Sequence, residues 1–393
     1  MSRSAFARVV ELAGGAENAR VGLITAAADG GRHRAHALGY TAMFKTLGVQ
    51  DVFWFPLHDG AHEAAFDPAL VAKVKDLNVI FFGGGSQNRL IGALRTSEGE
   101  TPLLREIKRL YDEKLLIIAG DSAGAAAQAR GPAITSGDSY EALTRPSQPT
   151  TEIYNGWDLS YNPEGGLGFF PFAVDTHFAE RGREGRLVRF AAETGQPLAF
   201  GVDEGTALVL TNPHEPGKRT ASIEGKGGVT IFDLNRAKVS DAGGFQVEGV
   251  GVSFLTSGDT YLPDLRRSVI REPNTDSSKR PTSQAKLRSF QEDIFGAPRV
   301  SEVASADPAV VAAQRDSSRS EARAFNKLAL SLGSSAADGI DAVAWESARP
   351  GQPVVKVELR KGADWLVGHQ GASFDGLTLN IHTRGTSEST GSA

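Results

Sequence analysis

Along the first half of the chain, short apolar runs alternate with stretches of mixed polarity. Residues 21–25, 52–55, 78–82 and 115–119 are dominated by apolar side chains. Runs this short, without a polar face, suit strands buried on both sides. Between them, residues 33–47, 68–75 and 101–113 mix charged and apolar positions at helical spacing. Gly48 follows the first of these, where a helix end favours a left-handed residue. Strand and helix in regular alternation predict an α/β fold, a mostly parallel sheet flanked by helices. In such sheets, sites form at the carboxyl ends of the strands.

From residue 199 the pattern changes. Residues 199–202, 207–210, 220–223, 229–234 and 252–255 read as short strands separated by Gly, Pro and Asp turns, an antiparallel extension of the same domain. Residues 271–284 are polar, carry two prolines and read as a linker. Asp307-Pro308 is a good helix start, with the helix expected to reach Leu332. Residues 354–359 and 377–381 read as strands, and the Ser, Thr and Gly tail after Arg384 as disordered. The division expected is 1–268 for the main domain and 269–393 for a linker plus a small α+β C-terminal appendage. There is no internal repeat.

Composition narrows the classes. Lys and Arg total 42 against 47 Asp and Glu, so the net charge is −5 and nothing points to nucleic acid. No apolar run approaches the roughly 20 residues of a membrane span. The absence of cysteine excludes disulfides, thiol catalysis and thiolate metal sites. No metal and no cofactor is expected. The opening Met1-Ser2-Arg3-Ser4 carries no signal peptide, which favours a cytoplasmic location. The alternative is secretion with the signal already removed.

The candidate chemistry starts at Gly120-Asp121-Ser122-Ala123-Gly124, where an apolar run meets an Ala-rich stretch. The G-x-S-x-G spacing lets a strand turn sharply into a helix and pushes the serine hydroxyl out as a nucleophile. The bland reading is a serine that caps the helix. A serine nucleophile needs a base, usually histidine. Of eight histidines, His177 ends the run from Phe169 to Phe178, at the strand edge where Ser122 should lie. The other seven read as solvated or peripheral. Arg181, Arg183 and Arg186 follow at once. They read either as a solvated basic helix start or as a carboxylate site, since guanidinium binds carboxylate bidentately.

Taken together, these stretches resemble the cyanophycinases and their relatives, a family of serine-dependent peptidases that includes aspartyl dipeptidase. The matching stretches are Phe81 to Leu90 (FFGGGSQNRL), Gly120 to Ala125, Gly137 to Glu141, Val174 to Phe178 with the following arginines, and Gly201 to Leu208. They come in the family's order over roughly residues 10–265. The resemblance implies a fold like that of class I glutamine amidotransferases, with Ser in place of Cys. It implies Ser122 as nucleophile, His177 as general base and Glu141 as the orienting carboxylate, with Asp138 as the competing carboxylate. Gly85 and the Ala123 amide would form the oxyanion hole. Gln87, Asp175, Arg181, Arg183 and Arg186 match substrate-pocket positions, and Thr176 stands in that set where the family has Gln. A second departure is Asp121, where the family has Thr. The longer stretch between Glu141 and His177 suggests a lid or an altered pocket. The function implied is exopeptidase hydrolysis of cyanophycin, a poly-aspartate with Arg on each β-carboxyl, to β-Asp-Arg dipeptides. The alternatives are an aspartyl or isoaspartyl dipeptidase, and a non-catalytic scaffold of the same fold. The partner expected is cyanophycin or an aspartyl peptide, with a homodimer left open and neither membrane nor nucleic acid involved.

Overall fold

The four apolar runs form a parallel sheet, in the spatial order Asp51–Phe55, Arg20–Ile24, Val79–Phe82 and Ile117–Gly120. The computed structural model describes residues 3–29, 31–58, 61–271, 294–295, 323–333, 339–344, 353–368 and 373–384. Alternation along a strand sends successive side chains to opposite faces. Val79 and Phe81 pack with Phe6, Tyr40 and Phe44, whereas Ile80 and Phe82 pack with Leu90, Leu104 and Ile107. Both faces are therefore covered by helices, which is why these strands read as unbroken apolar runs.

The helices begin where their caps dictate. Thr101 accepts a hydrogen bond from the Leu104 N–H and Pro102 opens the helix Pro102–Asp112. Asp67 and Pro68 do the same for Pro68–Lys73. Ser86 caps Gln87–Leu94 through the Arg89 N–H. Each such cap satisfies a donor that the helix cannot, typically stabilising by about 1 kcal/mol.

A second, larger sheet runs in the order Ala173–Thr176, Leu198–Val202, Gly228–Asp233, Gln246–Thr256, Phe374–Arg384, Val354–Val367 and Gly339–Ala344, with Lys238–Ser240 added alongside Gln246–Thr256. The first pair is parallel and the rest are antiparallel. Among the described residues, hydrogen bonding thus separates a four-stranded parallel sheet from this mixed one. The strands of the C-terminal appendage continue the sheet that begins with Ala173–Thr176. One core joins them: Phe178, Phe190 and Phe232 pack in the same cluster as Phe325, Leu332, Val357 and Leu379. The helix Ala324–Gly333 is described. The expected start at Asp307-Pro308, nearly all of the 271–284 linker and the tail after Arg384 lie outside the described residues.

Candidate active site

The strand Ile117–Gly120 stops at Asp121, and the short helix Ala123–Ala126 starts directly after Ser122. Ser122 has φ 49° and ψ −121°, a conformation that non-glycine residues rarely adopt. The flanking glycines are required by contact. A Cβ on Gly120 would lie 2.5 Å from the Gly124 carbonyl oxygen, and one on Gly124 would lie 2.1 Å from that of Phe82. The Ser122 side chain does not cap the helix. Its Oγ lies 2.8 Å from His177 Nε2 instead. The strained turn therefore presents the hydroxyl to an imidazole.

His177 follows the strand Ala173–Thr176 and also has a positive φ, 51°. Its Nδ1 lies 2.8 Å from Glu204 Oε1. The carboxylate expected here is Glu141, with Asp138 as competitor, and the geometry replaces both with Glu204. Glu141 is buried within the helix Ser139–Thr144, and Asp138 sits at the start of that helix against the cleft. The reason is register. Thr176 pairs in parallel with Val202, so the residues just beyond each strand emerge at the same edge. A carboxylate shortly after a strand that pairs in parallel with the histidine's strand is the signal that finds Glu204. Pattern alone does not reveal which strand is paired.

Two backbone amides belong to residues that line the same cleft as Ser122. Gly85 (φ 145°) and Ala123 both line the cleft, and neither N–H donates a hydrogen bond among the described residues. Gly85 must lack a side chain, since a Cβ there would lie 2.0 Å from the Ala27 carbonyl oxygen. Asp121 has a place in this arrangement. Tyr40 Oη donates to Asp121 Oδ1 at 2.7 Å and accepts from the Gly84 N–H at 3.0 Å. The tyrosine thus ties the glycine loop to the residue beside Ser122. Burial pushes the Asp121 carboxyl up from its ordinary value, although the Tyr40 hydrogen bond opposes that.

The arginines divide. Arg186 is 1% exposed and Asp175 wholly buried. Arg186 Nε donates to Asp175 Oδ2 at 2.8 Å, Nη2 to Oδ1 at 2.7 Å, and Nη1 to the Gly137 carbonyl at 2.6 Å. Burial alone would raise the Asp175 carboxyl, but Arg186 and Arg183 hold it below its ordinary value. Arg183 donates to the Thr176 carbonyl at 2.5 Å and to Asp175 at 3.3 Å. Both guanidiniums border the cleft, yet they are largely committed to holding the histidine's strand. Arg181 is different: it is exposed, borders the cleft and makes no salt bridge with a described residue. Gln87 also lines the cleft, where its amide donates to the Ile134 carbonyl at 3.1 Å.

The cleft encloses about 440 Å³. Residues 153–157 form one wall of it, within the long stretch before His177. Asn88 Nδ2 anchors the start of that segment through the carbonyls of Thr150 (3.1 Å) and Glu152 (2.6 Å). Trp157 is 39% exposed and Ile153 46%.

A serine, an imidazole and a carboxylate aligned at strand ends of an α/β fold is an arrangement shared by many serine hydrolases. The family model of peptidase family S51 matches residues 3–215, more than half of the chain, and the chain belongs to that family. A cyanophycinase of Synechococcus elongatus is 30% identical over 229 residues, covering 56% of this chain and 63% of that protein. The match therefore spans less than two thirds of that relative's length. A cyanophycinase of Nostoc is 28% identical over 242 residues, covering 58% of this chain and 73% of the relative. Among solved structures, a peptidase from an acI-B1 Actinobacterium is 18% identical, with a TM-score of 0.42, and the match covers 68% of this chain and 90% of that one. Among the described residues, no helix is long and apolar enough to cross a membrane.

Proposed function

We propose that the chain is a serine peptidase acting on aspartyl peptides, and that its substrate is cyanophycin. The observation that carries the reading is the continuous alignment of Ser122 Oγ, His177 and Glu204, with both contacts at 2.8 Å. In this mechanism Ser122 attacks the scissile carbonyl while its proton passes to His177 Nε2. Glu204 holds the ring so that Nδ1 carries its proton, and it stabilises the imidazolium. The oxyanion is received by the N–H groups of Gly85 and Ala123. His177 then protonates the leaving amine, and water hydrolyses the acyl-enzyme by the same relay.

Arg181 in the cleft suits a substrate carboxylate, and Asp138 lines the same cleft. A polymer that carries both carboxylate and guanidinium is complementary to that pair. The naming of relatives at 28–30% identity as cyanophycinases supports the same substrate. The aspartyl-dipeptide alternative draws on residues 153–157, which line the same cleft as Ser122 and His177.

The test is incubation of insoluble cyanophycin with wild type, Ser122→Ala and His177→Ala. Release of soluble β-Asp-Arg by wild type alone is expected. Hydrolysis confined to soluble β-aspartyl dipeptides would move the substrate to the alternative. Solubilisation that survives Ser122→Ala would sink the mechanism. No hydrolysis of any aspartyl peptide would leave a non-catalytic scaffold.

A further inference from the structure

Behind His177 and Glu204 lies a group of carboxylates that the proposed chemistry does not use. Glu180 Oε2 accepts from the Glu204 N–H at 3.1 Å. Asp203 Oδ1 accepts from the Ala179 N–H at 3.1 Å, and its Oδ2 from the Gly228 N–H at 3.2 Å. The bonds to the Glu204 and Ala179 amides fasten the turn that carries Glu204 to the turn that directly follows His177, and the Gly228 bond ties Asp203 to the next strand. Glu184, also buried, lies close enough to interact with both Asp203 and Glu180. So many acids in one place repel one another, and desolvation strengthens the repulsion.

Among the described residues, the C-terminal appendage sends a guanidinium, that of Arg323, against this group. Arg323 Nη2 is ion-paired with Glu180 Oε1 and lies 3.6 Å from Asp203 Oδ2. Its backbone N–H donates to the Ala179 carbonyl at 2.9 Å. Two residues on, Phe325 is fully buried beside Phe232 and Phe295, which anchors the start of the helix Ala324–Gly333. Arg323 lies beyond residues 3–215, the part of the chain that the family model matches.

We infer that Arg323 is a positioning residue for His177: by clamping Glu180 and Asp203, it fixes the turn that presents Glu204. The inference rests on the reading of Ser122, His177 and Glu204 as the catalytic array. It gives the appendage a role in the site, 143 residues away in sequence from the acid it grips. Without the guanidinium, Glu180 and Asp203 must separate or share a proton. Either outcome loosens the hydrogen bond from Glu180 to the Glu204 backbone. Glu204 then drifts from Nδ1, and the imidazole loses its orientation. Burial and Glu180 push the Asp203 carboxyl up to about 6 even with Arg323 present, so the group has little margin.

The test uses the full chain and a fluorophosphonate, whose attack by a serine hydroxyl expels fluoride and needs no knowledge of the natural substrate. Wild type is expected to be labelled and Ser122→Ala not; absence of wild-type labelling would overturn the underlying reading rather than this inference. Arg323→Gln is expected to slow labelling about tenfold or more, the scale of a lost charged hydrogen bond. Arg323→Lys should recover part of the rate, because the charge returns without the fork. Glu180→Gln placed in the Arg323→Gln chain should also recover rate, since it removes the repulsion and keeps an oxygen for the Glu204 N–H. Arg323→Gln labelled at the wild-type rate would overturn the proposal. If Arg323→Gln unfolds, the double variant decides: a folded double variant that remains as slow as Ser122→Ala would overturn it equally.

Discussion

Ser122 and His177 are held in place by different physics. Around Ser122 the constraint is steric: a strained backbone and two glycines that admit no Cβ, one facing the Gly124 carbonyl and the other the Phe82 carbonyl on the neighbouring strand. Around His177, whose backbone is also strained at φ 51°, ion pairs add an electrostatic constraint, part of it from far along the chain. Asp175 is gripped by Arg186 and Arg183, and the Glu204 turn is tied through Glu180 and Asp203 to Arg323. Steric constraint is nearly independent of pH and fails abruptly when atoms overlap. Electrostatic constraint is graded, because each charge responds to its neighbours and to protons. The site therefore has one rigid half and one adjustable half.

The rigid half is most vulnerable at Gly124. Gly124→Ala places a methyl group 2.1 Å from the Phe82 carbonyl oxygen, and backbone must move to relieve it. Loss of stability on the order of 3 kcal/mol is expected, together with loss of fluorophosphonate labelling. Urea unfolding checks the first; a folded, fully active Gly124→Ala would contradict the steric account of the elbow.

On the adjustable side, Glu204→Gln is expected to lower kcat by about 10²- to 10⁴-fold with little change in KM, because the wrong ring tautomer is favoured. Glu141→Gln should leave kcat close to wild type. The opposite ranking in steady-state kinetics would return the orienting role to Glu141.

Tyr40→Phe tests the link between the glycine loop and the elbow. It removes the hydroxyl that accepts from the Gly84 N–H and donates to Asp121. A loss of about 1–3 kcal/mol in stability is expected from the groups left unsatisfied, with kcat reduced about tenfold as the oxyanion amides lose registry. Stability lost without any change in kcat would confine Tyr40 to packing.

The smallest effect expected is one of pH. Burial holds the Glu184 carboxyl well above its ordinary value. A raised acid contributes stability that is fully present below the unfolded-state value and is lost as pH rises through the folded one. Glu184→Gln removes that titration, so the variant should gain on wild type in unfolding midpoint as pH rises above about 4. Asp203, raised to about 6, leaves a residual slope in both proteins. Parallel profiles would place the charge of Glu184 in contact with something that compensates it.

Much of this was legible in the pattern of residues. Buried runs near residues 21, 52, 78 and 115 became the parallel sheet, and caps such as Thr101-Pro102 marked a helix start. The elbow at Ser122 was legible because its spacing lies within five consecutive residues, although the contact that demands Gly124 comes from Phe82 on the neighbouring strand. Backbone sterics and hydrophobic alternation act over one or two turns of chain, so they are written locally. What only the tertiary structure decided is which charges meet. His177 turns to Glu204, 27 residues on, rather than to Glu141; Arg186 is spent on Asp175; and Arg323 reaches Glu180 across 143 residues. Such pairings depend on strand register and on the side to which each loop returns. A difference of a few ångströms separates a salt bridge from two solvated charges, and no local pattern encodes that distance.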